Sequence, residues 1–123
     1  MTSYGTIIHL FAGWSQRRHD IGNGIPVLAD KIRKEHNSPN LLLEVFPWYV
    51  SAESVAKYTA LRCHPLTKVL LVGYSFGGQT AADVSKALFE VFPESREVYV
   101  VLCDAVARRA RNPLGWLSSI NPF

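Results

Sequence analysis

The chain has 123 residues, 48% of them hydrophobic and 19% charged, with 13 basic against 10 acidic side chains, a net charge of +3 and a mean hydropathy of +0.06. This composition supports one core and one domain over residues 1–123, and it excludes a disordered or low-complexity chain. Two cysteines, Cys63 and Cys103, are too few for a disulfide framework, and the apolar runs fall far short of the ~20 residues of a membrane span.

The first residues lack a basic stretch followed by an apolar region, so a soluble, unexported, cytoplasmic protein without a membrane span is expected. Cys103 sits inside an apolar run, where a buried, reduced thiol is the default. Basic residues cluster at Arg108, Arg109 and Arg111 and at Arg17 and Arg18. No aromatic interleaving or nucleic-acid motif accompanies them, so they read as solvated faces and nucleic acid is not an expected partner.

In chain order, the first apolar run is Thr6-Ile7-Ile8-His9-Leu10-Phe11, ending at Ala12-Gly13. The polar, glycine-bearing stretch from Ser15 to Gly24 reads as a loop. Pro26 reads as the first position of a helix with Leu28 and Ile32 on one face, running to His36 and stopped by Asn37-Ser38-Pro39. The second run, Leu41 to Phe46, is closed by Pro47. Ser51 then caps a helix with Glu53 in its first turn, and Cys63-His64-Pro65 marks its end. The third run begins at Val69. Ala81, Val84, Leu88 and Val91 follow it at helical spacing as far as Phe92-Pro93, and the fourth run, Val98 to Cys103, ends at Asp104. Helical crossovers between consecutive apolar runs demand parallel pairing, so the expected architecture is a three-layer α/β/α fold, with a mostly parallel sheet of about four strands covered on both faces.

The third run carries the most specific signal: Val69-Leu70-Leu71-Val72-Gly73-Tyr74-Ser75-Phe76-Gly77-Gly78. Here a buried-type strand passes through Gly-x-Ser-x-Gly into a small-residue helix start, which is the pattern of a nucleophile elbow. So sharp a turn crowds the serine, and the positions two before and two after it must lack side chains. They are Gly73 and Gly77. The turn lifts the Ser75 hydroxyl above the sheet, and the Phe76 amide, at the positive end of the following helix, is placed to donate to a developing oxyanion. The competing reading of Ser75 is an ordinary helix-capping serine.

These residues resemble the α/β-hydrolase family, especially its lipase, esterase and thioesterase branches, and the likeness runs from Ile7 to Asp104. The resemblance implies a partial α/β-hydrolase fold and a serine nucleophile acting on a small-molecule ester or thioester, with no metal or organic cofactor required. Ile7-Ile8-His9-Leu10-Phe11-Ala12-Gly13-Trp14 looks like the family's first core strand and oxyanion loop, with Leu10 where the family has glycine. The second oxyanion amide is then that of Phe11 or Ala12, with Phe11 favoured. A subset of lipases carries the catalytic acid at the end of the strand after the elbow helix, and Asp104 matches that position; the plainer reading of Asp104 is a turn or helix cap.

A serine hydroxyl becomes a competent nucleophile when a histidine accepts its proton, and that histidine needs a carboxylate on its far nitrogen. Every histidine of this chain (His9, His19, His36 and His64) precedes Ser75, whereas the family's base arrives late. His36 and His64 belong at the amino edge of the sheet. His9 and His19 lie towards the carboxyl edge and are the in-chain candidates for the base, although His9 reads more readily as a packed strand residue and His19 as an exposed loop residue. The apolar segment 105–123 reads as a tail that further structure would cover, so a C-terminally incomplete hydrolase domain is the expectation, with self-association through the tail if it stays exposed. The alternative is a catalytically inactive, hydrolase-like module that binds a ligand or a protein.

Overall fold

The computed structural model describes residues 3–13, 24–95 and 97–103. Within them the order is β1 (Thr6–Ala12), α1 (Gly24–Glu35), β2 (Leu41–Pro47), α2 (Ala52–Ala60), β3 (Lys68–Tyr74), α3 (Phe76–Val91) and β4 (Glu97–Cys103). The strands make one sheet in the order β2-β1-β3-β4, with every pairing parallel. The α/β class expected from the alternation of apolar runs and helices is the one found.

The topology follows from chain direction. The step from β1 to β2 goes one way across the sheet, and the steps from β2 to β3 and from β3 to β4 go the other way. Right-handed crossovers therefore put α1 on one face and α2 with α3 on the opposite one. Strand alternation then builds two cores. On the α2–α3 side Ile7, Phe11, Val69 and Leu71 pack with Val55, Ala56, Ala81, Val84 and Leu88. On the α1 side Leu10, Ala12, Val45 and Val72 pack with Ile25 and Ala29.

Local chemistry accounts for the helix starts. Ser51 caps α2, its side chain accepting from the Ser54 amide at 3.2 Å, with Glu53 in the first turn. α1 begins at Gly24, so Pro26 is its third residue rather than its first; none of the first four amides of a helix needs an intrahelical acceptor, and a proline fits any of these positions.

Among the described residues, coverage of the sheet is uneven. α1 packs on β1 and β2, and the β4 side chains on that face, Tyr99 and Val101, are 53% and 43% exposed. Cys103 shares their alternation and is exposed rather than buried. Cys63 is half-buried beside the other core, and burial raises its pKa to about 11, which keeps it a thiol at neutral pH. Val91 completes a helical spacing in the sequence, yet it is exposed at the end of α3. Among the described residues no helix is long and apolar enough to cross a membrane.

Candidate active site

β3 ends at Tyr74 and α3 begins at Phe76, so the reversal from strand to helix falls on one residue, Ser75. Its backbone lies at φ 55° and ψ −122°, and it is the only non-glycine with positive φ among the described residues. Such a conformation costs on the order of 1–3 kcal/mol and persists only where the surroundings over-determine it.

Glycines do the over-determining. A Cβ on Gly73 would lie 2.3 Å from the Gly77 carbonyl oxygen and 2.5 Å from the Gly78 Cα, and one on Gly77 would lie 2.1 Å from the Phe11 carbonyl oxygen. All three obstacles are backbone, which cannot rotate aside. Gly13, just past β1, meets the turn from the other side: its Cβ would sit 2.8 Å from the Ser75 Cβ and 2.8 Å from the Tyr74 carbonyl oxygen. The ends of β1 and β3 and the first turn of α3 therefore touch at backbone distance around the serine.

Two hydrogen bonds hold the turn. The Ser75 amide donates to the Cys103 carbonyl at 3.0 Å, tying it to β4, and the Gly78 amide donates to the Ser75 carbonyl at 3.0 Å. The Ser75 side chain makes no capping bond to α3, so the helix-cap reading has no support in the geometry. Phe76 is the first residue of a 16-residue helix without an acidic side chain in its first turn, so the positive end of the helix dipole lies unopposed by its own first turn behind Ser75.

The residues expected to complete the site are placed unequally. Phe11 is inside β1, in register with Phe46 and Gly73, and its ring is fully buried and stacked on Phe46 at 5.6 Å. Ala12 is in register with Pro47, one position short of the Gly13 that abuts Ser75. Of the two candidate oxyanion amides, that of Ala12 is the nearer to the serine along β1. Asp104 and His19 lie outside the described residues, as do Trp14 and the 105–123 segment.

His9 is not brought to Ser75. It is in register with Leu71, four positions before the serine, or about 13 Å along the strand. It is 0% exposed and its Nε2 lies 2.8 Å from Thr59 Oγ1 on α2. The Thr59 hydroxyl donates its single proton to the Val55 carbonyl at 2.7 Å, so His9 Nε2 must be the donor and Nδ1 carries the bare lone pair. That Nδ1 has no hydrogen-bond partner. Burial, with a smaller contribution from the Arg62 guanidinium, lowers its pKa to about 4. His9 is a neutral core residue, packed by Phe46 at 5.1 Å and Tyr58 at 6.2 Å.

His64 precedes β3 and its amide is held by Thr67 Oγ1 at 2.9 Å, while His36 follows α1 and lines an open cleft of about 510 Å³ with Thr6, Ile8 and Asn40. Both are at the amino edge of the sheet, opposite Ser75. Ser38 and Glu35 line it as well, but Ser38 Oγ accepts from the Asn40 amide at 3.1 Å as an ordinary turn residue and none of the lining backbone has the positive φ of Ser75, so the volume alone does not make it the reactive site.

Beside Ser75 the carboxyl edge carries aromatic rings. Trp48, directly after β2, packs on Phe76 with centroids 5.3 Å apart, and Tyr49 stands edge-on to Trp48 at 5.7 Å. The buried Thr80 hydroxyl, one turn into α3, donates to the Trp48 carbonyl and locks the end of β2 to α3. The sequence does not single out Gly13 or Thr80 as functional. A glycine directly after an apolar strand is a usable signal for the first, but nothing local marks the second. Among the described residues no three His, Cys, Asp or Glu side chains gather in a way that could hold a metal.

No protein-family profile, curated protein or solved structure matches this chain, so the reading of its site rests on its own residues.

Proposed function

We propose that the protein is a serine hydrolase that cleaves a carboxylic ester or thioester through an acyl-enzyme on Ser75. The observation that carries this reading is the Ser75 backbone, held at φ 55° between two glycines whose replacement would drive a Cβ into backbone. A serine needed only to start a helix would use its β-region conformation and cap the first turn, as Ser51 does. Strain kept without a capping bond is what an outward-facing nucleophile requires.

In the proposed reaction Ser75 Oγ attacks the acyl carbonyl carbon as its proton passes to a histidine. The oxyanion is met by the Phe76 amide and by one from the end of β1, each donor being worth on the order of 3 kcal/mol. The tetrahedral intermediate collapses, the C–O or C–S bond breaks and the leaving group departs with the proton from the imidazolium. Water then attacks the acyl-serine with the same histidine as base, and the acid leaves. Within the chain His19 is the candidate for that base and Asp104 the candidate to orient it.

The test is hydrolysis of p-nitrophenyl esters by the purified chain and labelling by a fluorophosphonate, beside Ser75→Ala and His19→Ala. Turnover and labelling lost in Ser75→Ala support the reading, and loss in His19→Ala as well names the base. A second reading, a ligand-binding module on a hydrolase scaffold, is favoured by one observation: none of the described histidines is beside Ser75. It predicts that folded protein turns over no ester and that Ser75→Ala binds as the native chain does.

A further inference from the structure

We propose that Trp48 and Phe76, with Tyr49 at the rim, form the shelf that receives the apolar chain or ring of the substrate, which makes esters of medium-length or aromatic groups, rather than acetates or charged acids, the preferred class. The inference rests on the serine-hydrolase reading of Ser75 and adds to it the chemistry of what is bound.

Three observations carry it. The first is position: β1 and β2 are in register at Ala12 and Pro47, β1 and β3 at Phe11 and Gly73, so Trp48 follows its strand at the level of Gly13 and Ser75. Phe76 is the residue after the nucleophile, and the 5.3 Å ring contact joins the two on the α2–α3 side. The second is rigidity. The Trp48 carbonyl accepts from buried Thr80, the Val50 amide donates to the Pro47 carbonyl at 3.2 Å, and Ser51 caps α2 immediately afterwards. A surface fixed before the ligand arrives loses little entropy on binding.

The third is chemical character. Trp48 and Phe76 are only half-buried although they pack on one another, and Tyr49 is 71% exposed. The connecting residues from Pro47 to Ser51 carry no charge, and the first turn of α3 has no acidic side chain. Such a surface offers aromatic faces to which the Pro47–Ser51 connection brings no counter-ion and the first turn of α3 no acidic side chain, so these described residues favour neutral apolar groups over carboxylates or ammonium groups.

The experiment measures kcat/KM for p-nitrophenyl acetate, butyrate, hexanoate and benzoate, which varies the acyl side. It is repeated with methyl, hexyl and benzyl acetates, which varies the alcohol side. The native chain should prefer hexanoate or benzoate over acetate, or hexyl and benzyl over methyl, by about ten-fold, and the series that shows the preference identifies which half of the ester the shelf takes. Trp48→Ala should collapse that ratio through KM, and Trp48→Leu, which keeps apolar volume at the same site, should retain part of it. Binding of p-nitrophenyl hexanoate and acetate to Ser75→Ala, read by tryptophan fluorescence, supplies the same comparison without turnover. A flat series in both turnover and binding overturns the shelf while leaving an active Ser75 standing. A chain-length preference in Ser75→Ala that is lost on adding Trp48→Ala, with no turnover in the native chain, keeps the shelf and removes the hydrolase.

Discussion

Acid should destabilise this fold in part through His9. The unfolded chain takes up a proton on this imidazole near pH 6.5, whereas the folded chain does so only near pH 4, because burial first and the Arg62 guanidinium second disfavour the cation. The folded state therefore binds fewer protons between those values. Stability is fully present above pH 6.5 and is lost as pH falls towards 4. At 1.36 kcal/mol for each tenfold change in proton activity, the full span is worth about 3 kcal/mol, a large share of what a domain this size commands. The surroundings offer the cation little relief. Nε2–H is already given to Thr59, a proton on Nδ1 would find no acceptor, and the neighbouring carboxylate of Glu44, in register with His9, accepts from the Tyr58 hydroxyl. Arg62 lies over the Tyr58 ring at 3.6 Å and adds like charge. The measurement is urea unfolding followed by tryptophan fluorescence from pH 7.5 to 4.5, for the native chain and for His9→Gln. The difference between the two curves cancels the carboxylates common to both and should grow steadily below pH 6.5. Parallel curves would refute the assignment of acid sensitivity to His9.

Gly77→Ala should lower stability by about 3 kcal/mol or more, since the added methyl would meet the Phe11 carbonyl at 2.1 Å, and a thermal midpoint within 2 °C or so of native would show that the β1 end can withdraw. Ser75→Gly should abolish ester turnover yet raise the midpoint above that of Ser75→Ala, because glycine accepts φ 55° without strain; equal midpoints in the two variants would mean the turn stores no strain. Thr59→Val strands the buried Nε2–H of His9 and should cost about 1–3 kcal/mol in chemical denaturation, an effect absent when His9→Leu is already in place.

The strands and helices were legible because each is written twice, once in its apolar period and once in its punctuation. Leu41 to Phe46 ends where Pro47 removes a donor, and Ser51 with Glu53 announces α2. Sheet order and the placing of helices on opposite faces then follow from handedness. Exposure at β4 was not legible. Val98-Tyr99-Val100-Val101-Leu102-Cys103 has the continuous apolar character of a strand covered on both sides, and composition alone does not say which neighbours arrive to cover it. His9 was legible as a packed residue from its apolar neighbours, but its partner Thr59 is 50 positions away and carries no local mark.

The site divides along the same line. Ser75, Gly73 and Gly77 are readable because an elbow is a local device: its strain, its clearance and its helix dipole lie within five residues of one another. What surrounds the elbow is assembled across strands. Gly13 reaches Ser75 only because parallel register sets Phe11 beside Gly73, and the same register carries Trp48 to Phe76 from the far side of β1. The register also decides against His9, whose type suits a base but whose level in the strand is four residues too early. Residue type proposes the chemistry, and register selects among the proposals. For this fold that makes the end of β1 the most informative place to mutate next. If Gly13→Ala, whose methyl would press on the Ser75 Cβ at 2.8 Å, abolishes fluorophosphonate labelling while urea unfolding stays cooperative, the nucleophile is set by the β1 edge. Retained labelling would instead leave the elbow glycines as sufficient by themselves.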